Sequence, residues 1–576
     1  MQYRLINGSL NDIRNPIETV LKNRGIENVE EYLELTTAPR DTYSNLDFIK
    51  EAVELFDKHF QDKDPIGILA DNDVDGVCSA TLMYNFIKSL DKSYDVRIYV
   101  HHRNKSHGLA DKDFDLDSDI KLLIVPDAGS NDIEEHGLLS EHGVSCICAD
   151  HHHVTANIAN SPAIIVNNQI SDNYQNKNCC GASITLEFCR ALEEFYWEDI
   201  CDQHLDLVAV ANVCDVMLIS EPETRAIINE GLGQINNKML QEIIKAQEFS
   251  MKGIVNPHTV GFYIGPLINA FIRLATFEER ELLIKAFCED ESETFEYTKR
   301  GESFPVEENI YEHVVRLMKS YKGKQDRSRD KAVSILLNKA LEFEDDKVII
   351  IDGTKEIEGP LAGLVAIKIS ESIHKPVLLV RKNDGCLAGS GRAFNNCPIE
   401  DFRGLVEECP YMDWGQGHNS AFGCQMPINN IDDARGWFNE ELKDVNMEKV
   451  YHVDFIIDMD DINVSFIKTI DEHQNLWGHG LDEPLVVIEN ITVKRPDIHV
   501  QGKNFDSVAF TVNDIKFVQF RMDEDNELLA WASAWDGADT DEITLNVVGE
   551  VSISEYKGVY TPQMIIKESL ITNGLD

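Results

Sequence analysis

Apolar and polar positions fall in blocks along this chain, and the blocks change character several times. The run Ile66–Ala70 is apolar throughout and reads as a buried parallel strand. Leu82, Met83, Phe86, Ile87 and Leu90 then recur at helical spacing, which predicts a turn from strand to helix. The same rhythm continues to about Ala226, with further strands predicted at Val96–Val100, 122–125, 144–149 and 163–166. Strands alternating with helices imply a parallel α/β sheet. Upstream, residues 1–60 read as helical and polar, with apolar stripes at Ile17, Val20 and Leu21 and at Val29 and Leu33.

Downstream, 273–341 reads as mostly helical, and its charged stretch 322–331 as a solvated loop or helix end. A strand restarts at 347–352 and opens a second, smaller α/β unit that runs to about Leu442. From Val450 the runs become short and strand-like, as at 508–512, 516–521 and 543–548, predicting a compact β domain of barrel type. The expected domains are thus an N-terminal helical segment (1–60), a parallel-sheet α/β domain (61–272), a helical linker (273–344), a smaller α/β domain (345–446) and a β domain (447–576).

Length fits that division, since 576 residues suffice for three or four ordinary domains. No apolar run approaches the roughly 18 residues of a membrane span. Met1-Gln2-Tyr3-Arg4 lacks the apolar segment of a signal peptide. Thirteen cysteines include no Cys-x-x-Cys pair, and Cys78, Cys146, Cys148 and Cys214 sit in apolar contexts. A reducing, cytoplasmic location without a zinc finger is expected. The formal charge of −48 runs against the basic footprint of most nucleic-acid binders. Any binding of nucleic acid must therefore rest on a local basic groove and on metal ions. From Tyr451 onward 24 Asp+Glu stand against 8 Lys+Arg, so the tail is a poor electrostatic grip for phosphate.

The candidate chemistry lies where the runs end. Asp71, Asp73 and Asp75 follow the first strand and precede Gly76. Asp127 and Gly129 follow the next such strand, and Asp150, His151, His152 and His153 the one after. Asp215 ends the apolar run 205–213, grouped here with the strand ends. Taken singly, each aspartate is as well explained by a turn or a helix cap, with Asp75 or Ser79 near the helix start. Four in order within one α/β domain point instead to a metal site, because clustered carboxylates repel unless a cation neutralises them. Mixed imidazole and carboxylate donors suit Mn²⁺, Fe²⁺ or Zn²⁺ better than Ca²⁺. Enough are present for two ions about 4 Å apart acting at phosphorus. Asp150 is placed to orient the first imidazole.

Asp71-x-Asp73-x-Asp75-Gly76, Asp127-x-Gly129, Asp150-His151-His152 and Asp215 resemble, in order, the four motifs of the DHH phosphoesterase superfamily. Within it, nearly the whole chain resembles the RecJ single-strand-specific exonucleases. Leu21-Lys-Asn-Arg-Gly-Ile26 is similar to their N-terminal segment, and Gly265-Pro-Leu-Ile-Asn269-Ala-Phe-Ile-Arg273-Leu274 to their G-P-R-I-N-A-x-G-R-L signature. Gly363-Leu-Val-Ala366, Gly389-Ser390-Gly391-Arg392 and Gly415-Gln-Gly417-His418 resemble the DHH-associated domain. Trp477-Gly-His-Gly-Leu-Asp-Glu-Pro484 is similar to the segment entering the OB-fold. Leu267, Ile272, Ala128 and Gln416 depart from the pattern, where arginine, glycine, asparagine and glycine are usual.

The resemblance implies that Asp73, Asp75, Asp127, His151 and Asp215 hold two metals, Mn²⁺ by preference with Mg²⁺ as the alternative, and that Asp71 sits beside them. It implies that His152 contacts the scissile phosphate, and Asp150 is counted with it among the catalytic residues. Arg103, Ser390 and Arg392 would bind a terminal 5′ phosphate, Asn269 and Arg273 line the strand's path, and His418 close the cleft from the second domain. Arg103 and Arg392 also offer planar, permanently charged forks suited to phosphate, and Gly389 and Gly391 would let the backbone approach a ligand. The expected activity is exonucleolytic hydrolysis of single-stranded DNA from 5′ to 3′, releasing nucleoside 5′-monophosphates. A single-strand-binding protein or a helicase is the expected partner of the C-terminal domain, and no membrane is. Two other readings stay open: a short-oligonucleotide or cyclic-dinucleotide phosphodiesterase, and a non-catalytic replication or repair scaffold. The Trp477 segment argues against the first, and the intact ligand set against the second.

Overall fold

In the computed structural model the apolar run Ile66–Ala70 is a strand buried along its whole length, as an uninterrupted apolar sequence requires. The structure describes all residues except 9, 35–41, 104–106, 110–113, 300, 302, 384, 524–525, 535–541, 557 and 574–576. They form two units, one comprising Asn28–Lys322 with Gln474–Glu483, the other Met1–Glu27, Gly323–His473 and Pro484–Asp576.

The N-terminal sixty residues contain the expected helices α1 (Pro16–Asn23), α2 (Val29–Leu33) and α3 (Ile49–Asp62), but they open with a strand, β1 (Gln2–Leu5). It pairs in parallel with Val450–Val453. Met1, Tyr3 and Leu5 pack beside Tyr451, Val453, Val487 and Val548, an alternation of period two too short to stand out in a polar segment.

The unit of Asn28–Lys322 is built on a five-stranded sheet. Its strands are β2 (Ile66–Ala70), β3 (Val96–Val100), β4 (Leu122–Pro126), β5 (Ser145–Asp150) and β6 (Ile164–Asn167), in the order β3-β2-β4-β5-β6. All pairings are parallel. The helices are α4 (Val74–Leu90), α5 (Ile133–Glu141), α6 (Gly181–Tyr196), α7 (Leu205–Cys214), α8 (Pro222–Gly233), α9 (Lys238–Met251) and α10 (Pro257–Thr259). Then come a π turn (Val260–Ile264), α11 (Gly265–Leu274) and α12 (Phe277–Phe287). The apolar run 205–213, grouped above with the strands, is the helix α7. Residues 205–212 are all buried, and a helix with no solvated face loses the polar periodicity that would identify it.

The expected helical segment 273–341 is interrupted by a hairpin of β7 (Thr294–Tyr297) and β8 (Val306–Asn309). After it α13 (Ile310–Leu341) runs for 32 residues. Residues 322–331 are neither loop nor helix end but its interior. Their lysines, arginines and glutamine favour helix, and Arg329 pairs with Asp326 at i,i+3.

The other unit holds a second five-stranded sheet, from β9 (Ile349–Asp352), β10 (Val377–Asn383), β11 (Cys386–Arg392), β12 (Trp414–His418) and β13 (Ala421–Pro427), ordered β12-β13-β11-β10-β9. Ile350, Leu378 and Val380 join one core beneath it. Ile349, Ile351, Val377 and Leu379 face another with α14 (Ala362–Ile373), as strands buried on both faces must. The last strands are β14 (Val450–Val453), β15 (Phe455–Asp458), β16 (Val486–Lys494), β17 (His499–Gln501), β18 (Ser507–Val512), β19 (Ile515–Gln519), β20 (Glu542–Tyr556) and β21 (Val559–Asn573). Seven of them form one sheet, β15-β16-β20-β21-β19-β18-β17. Among the described residues β15 and β17 remain its edges, so the pairing does not close as a barrel, and β20 and β21 reach 15 residues each rather than staying short.

Candidate metal centre

In the first sheet β2 has β3 on one side and β4 on the other, so the chain reverses direction across the sheet between β2 and β4. The crevice at the carboxyl ends of such strands is where open α/β sheets bind ligands. Asp71 and Asp73 follow β2, Asp127 follows β4, and Asp150, His151 and His152 end β5. Asp73 caps α4 by accepting the Gly76 N–H at 2.9 Å, which leaves Asp75 and Ser79 inside the helix rather than at its cap. Asp215 follows α7 as its C-cap.

The four motifs converge on one imidazole. His151 Nε2 lies 3.3 Å from Asp127 Oδ1, 3.5 Å from Asp215 Oδ2 and 3.9 Å from Asp75 Oδ2. Donor atoms of Asp71, Asp73 and Asp127 form a second set within 4.8 Å of one another, and those of Asp127, His151 and His152 a third. Asp127 adopts a left-handed backbone (φ 66), which aspartate tolerates better than most residues. Gly181, at the start of α6, makes room for it: a Cβ there would stand 2.4 Å from Asp127 Oδ1. The same helix start holds Asp75, whose carboxylate accepts from Gly181 N at 2.7 Å and Ala182 N at 2.8 Å, with Ser79 Oγ at 3.2 Å.

These acids are crowded, and the imidazoles nearby do not offset the crowding at Asp73, Asp127 and Asp215. Burial, then Asp71 and Asp75, push Asp73 up to about 6. Burial with Asp75 and Asp73 pushes Asp215 up to about 8. Asp127 is driven well above the carboxylate range by the same causes. Asp127 Oδ1 and Asp215 Oδ2 are buried with no hydrogen-bond partner, a costly state unless something else fills the gap. A divalent cation fits: the orphaned oxygens, the imidazole and the remaining carboxylates are the donor types such ions take.

Asp71 differs from its neighbours. His107 Nδ1 lies 2.6 Å from its Oδ2, Gly108 N donates to Oδ1 at 3.3 Å, and His101 Nε2 stands 3.6 Å away. Burial pushes Asp71 up, but the neighbouring imidazoles of His101 and His107 prevail and bring it to about 2. The Asp71 bond raises His107 to about 9. Asp71 thus has both oxygens engaged and anchors His107, whose ring centroid is 5.0 Å from that of His152. His107 is not among the expected site residues, although it closes the histidine-rich stretch opened by His101-His102-Arg103.

Asp150 holds the second imidazole, not the first. Its Oδ1 lies 2.8 Å from His152 Nδ1 and accepts the N–H groups of His151 and His152 at 2.7 and 3.1 Å, while Oδ2 accepts Ser130 N at 3.1 Å. Burial pulls His152 down, but Asp150 outweighs it and the net shift is upward. Burial instead lowers His151, as a metal ligand that must be neutral requires.

Arg103 is exposed, and its carbonyl accepts from Asn72 Nδ2 at 3.0 Å. Arg280, a buried residue of α12 that sequence patterns do not single out, donates to Asn72 Oδ1 at 2.9 Å and to the His102 carbonyl at 2.6 Å. It ties the Arg103 loop to the first aspartate motif. On α11, Arg273 is exposed and Asn269 half-buried. Crowding by protein draws Arg273 down while the charge of Asp73 opposes the shift. Leu267 and Ile272, the two departures on this helix, are buried. Ser390, Arg392 and His418 belong to the other unit. Arg392 on β11 and His418 on β12 both pair with Ala421 of β13, which sets them on one register row two strands apart. Arg392 Nη1 donates to the carbonyls of Gly391 and Phe422, and its Nη2 would lie 2.5 Å from a Cβ at Gly363. Gly389 and Gly391 are required by packing: a Cβ would meet the Leu379 carbonyl at 2.0 Å and the Phe422 ring at 2.3 Å.

Residues 65–212 match the DHH family, N-terminal domain, and residues 453–568 the RecJ OB domain. YorK of the SPbeta prophage in Bacillus subtilis (strain 168), named for single-strand DNA-specific exonuclease activity, is 34% identical over 579 residues, covering 99% of this chain and 98% of YorK. The single-stranded-DNA-specific exonuclease RecJ of the same strain is 25% identical over 581 residues, covering 96% of this chain and 68% of that protein. Among solved structures, RecJ from Thermus thermophilus in complex with Mn²⁺ has the same fold, with a TM-score of 0.73 at 18% identity over 100% of this chain and 80% of that one. Its Mg²⁺ complex gives 0.67 at 17%, over 99% and 78%.

Proposed function

Since the chain belongs to the RecJ-like family of DHH exonucleases, we propose that it removes nucleotides from single-stranded DNA in the 5′ to 3′ direction, releasing nucleoside 5′-monophosphates. The observation that carries this reading is the convergence of Asp75, Asp127 and Asp215 on His151 Nε2, all within 3.9 Å. Asp73, Asp75, Asp127, His151 and Asp215 would hold two divalent cations, Mn²⁺ by preference, with Asp127 common to two of the donor sets. When bound, such ions polarise the scissile phosphodiester and neutralise the charge that develops on it.

The protein's own groups do the rest. His152, its Nδ1 tied to Asp150, presents its other nitrogen to the phosphate and keeps a proton to higher pH than a free imidazole. His107 adds a second cationic ring held by Asp71. Arg103 and Arg392, with Ser390, bind the 5′ phosphate, and Asn269 and Arg273 guide the strand. His418 is a further candidate contact to the strand.

Strands labelled at one end or the other and digested with Mn²⁺ or Mg²⁺ test the reading. Early release of mononucleotide from the 5′ label is expected. Early release from the 3′ label would reverse the direction, and intact strands in both metals would end the nuclease reading.

A further inference from the structure

The helix that carries Asn269 and Arg273 starts irregularly. Val260–Ile264 is a π turn, in which the Gly265 N–H reaches the Val260 carbonyl five residues back. Pro266 has no N–H to return to the Phe262 carbonyl, so ordinary α-helical pairing is broken at that position. Such turns are rare and concentrate at functional sites.

This turn packs beside the metal centre. A Cβ at Gly261 would stand 3.5 Å from Val213 Cγ1, and one at Gly265 2.7 Å from Cys214 Sγ. The next residue along α7 is Asp215. Phe262 adjoins Gly261 and is 65% exposed. Its ring runs parallel to that of half-exposed His258, with 3° between planes and 5.8 Å between centroids, while Tyr263 meets it edge-on at 5.3 Å. Phe262, Pro266, Asn269 and Arg273 follow one another at steps of four, three and four, the spacing of one helix face, and all four are at least partly exposed.

A single exposed phenylalanine needs no explanation. A ring held flat by a second ring, on a broken helix, one residue from a glycine that abuts the end of α7, does. We propose that Phe262, extended by His258, is the platform on which bases of the substrate strand stack as the strand leaves the metal centre. The inference rests on the single-strand nuclease reading and names its base-binding subsite. The occupant follows from continuity: the same exposed face carries Asn269 and Arg273, and the turn abuts the end of α7 next to Asp215. Stacking of this kind ignores base identity, since every base offers a π face.

The test compares the wild type with Phe262→Ala, Phe262→Leu and Phe262→Trp on a long single strand and on a 5′-phosphorylated dinucleotide, with Mn²⁺. A single abasic nucleotide is then moved stepwise along the strand from the cleaved end. In Phe262→Ala the ratio of strand to dinucleotide kcat/KM should fall about tenfold, carried by KM. Trp should restore it and Leu should not. In the wild type one abasic register should slow degradation, and Phe262→Ala should not sense that register. An unchanged ratio, rescue by Leu as full as by Trp, or one abasic profile shared by both proteins would overturn the platform. A wild type that leaves the strand intact would instead overturn the nuclease reading.

Discussion

Two buried aspartates show opposite ways of living with a charge. Asp454 is fully enclosed, and Arg24 grips it with both ends of a fork, Nε to Oδ1 at 3.1 Å and Nη2 to Oδ2 at 2.8 Å. The Leu485 N–H adds a third bond at 3.0 Å. Asp127 is equally enclosed, yet one of its oxygens has no hydrogen-bond partner and the charges that act on it most are those of other acids. The first carboxylate brings its countercharge within the chain and stabilises the fold. The second leaves the countercharge to be supplied from outside, which marks a binding site rather than a structural one.

Breaking each arrangement should therefore give opposite results. Asp127→Asn keeps a residue that tolerates positive φ and cannot add to the charge of the crowded acids. It should lower exonuclease activity by more than the about 100-fold that loss of a mere outer partner costs, while the metal-free protein melts no lower than the wild type. A Tm that drops sharply on this change would mean Asp127 is structural. Arg24→Ala should do the reverse and destabilise the fold by about 3–5 kcal/mol in denaturant melts, with the activity of the folded fraction retained. Wild-type stability after so drastic a change would remove the contrast.

A pH series sharpens the comparison further. Asp73 and Asp215, at about 6 and about 8 when folded, hold protons that the unfolded chain releases near 3.8. The folded state then binds more protons, so stability of the metal-free protein should decline as pH rises from about 4 to 8. Asp71, held at about 2, works the other way: its contribution is present above 3.8 and lost as pH falls towards 2. Saturating Mn²⁺ should flatten the decline and raise Tm. A flat metal-free profile from pH 4 to 8 would show that the acids are compensated within the protein. The smallest effect is expected at Arg392→Ala, which should weaken binding of 5′-phosphorylated ends more than 5′-hydroxyl ends. Equal weakening of both would detach Arg392 from the terminal phosphate.

The centre is largely legible in the sequence because its ligands stand next to strong local signals. Asp71, Asp127 and Asp150 each end an apolar run, and parallel strands bring such ends together by topology alone. Asp215 is found for a mistaken reason, since a helix as thoroughly buried as α7 looks like a strand in one dimension. His107 and Arg280 escape notice because nothing local distinguishes them; their roles appear only through Asp71 and Asn72. Gly389 and Gly391 stand out, but whether a glycine yields to a ligand or to a neighbouring ring depends on the facing strand. The Arg24–Asp454 pair, 430 residues apart, leaves no trace in the pattern at all.

Gln474–Glu483 joins the unit of Asn28–Lys322 across a long stretch of intervening chain. It brings Trp477, among the largest fully enclosed side chains, and the His479 carbonyl, which accepts the Ile219 N–H at 2.9 Å. During synthesis the unit of Asn28–Lys322 therefore lacks one of its own segments until residues 474–483 have been made. Met1–Glu27 waits in turn for companions translated after Lys322. The unit that carries the metal ligands is thus completed only after most of the other unit has been translated.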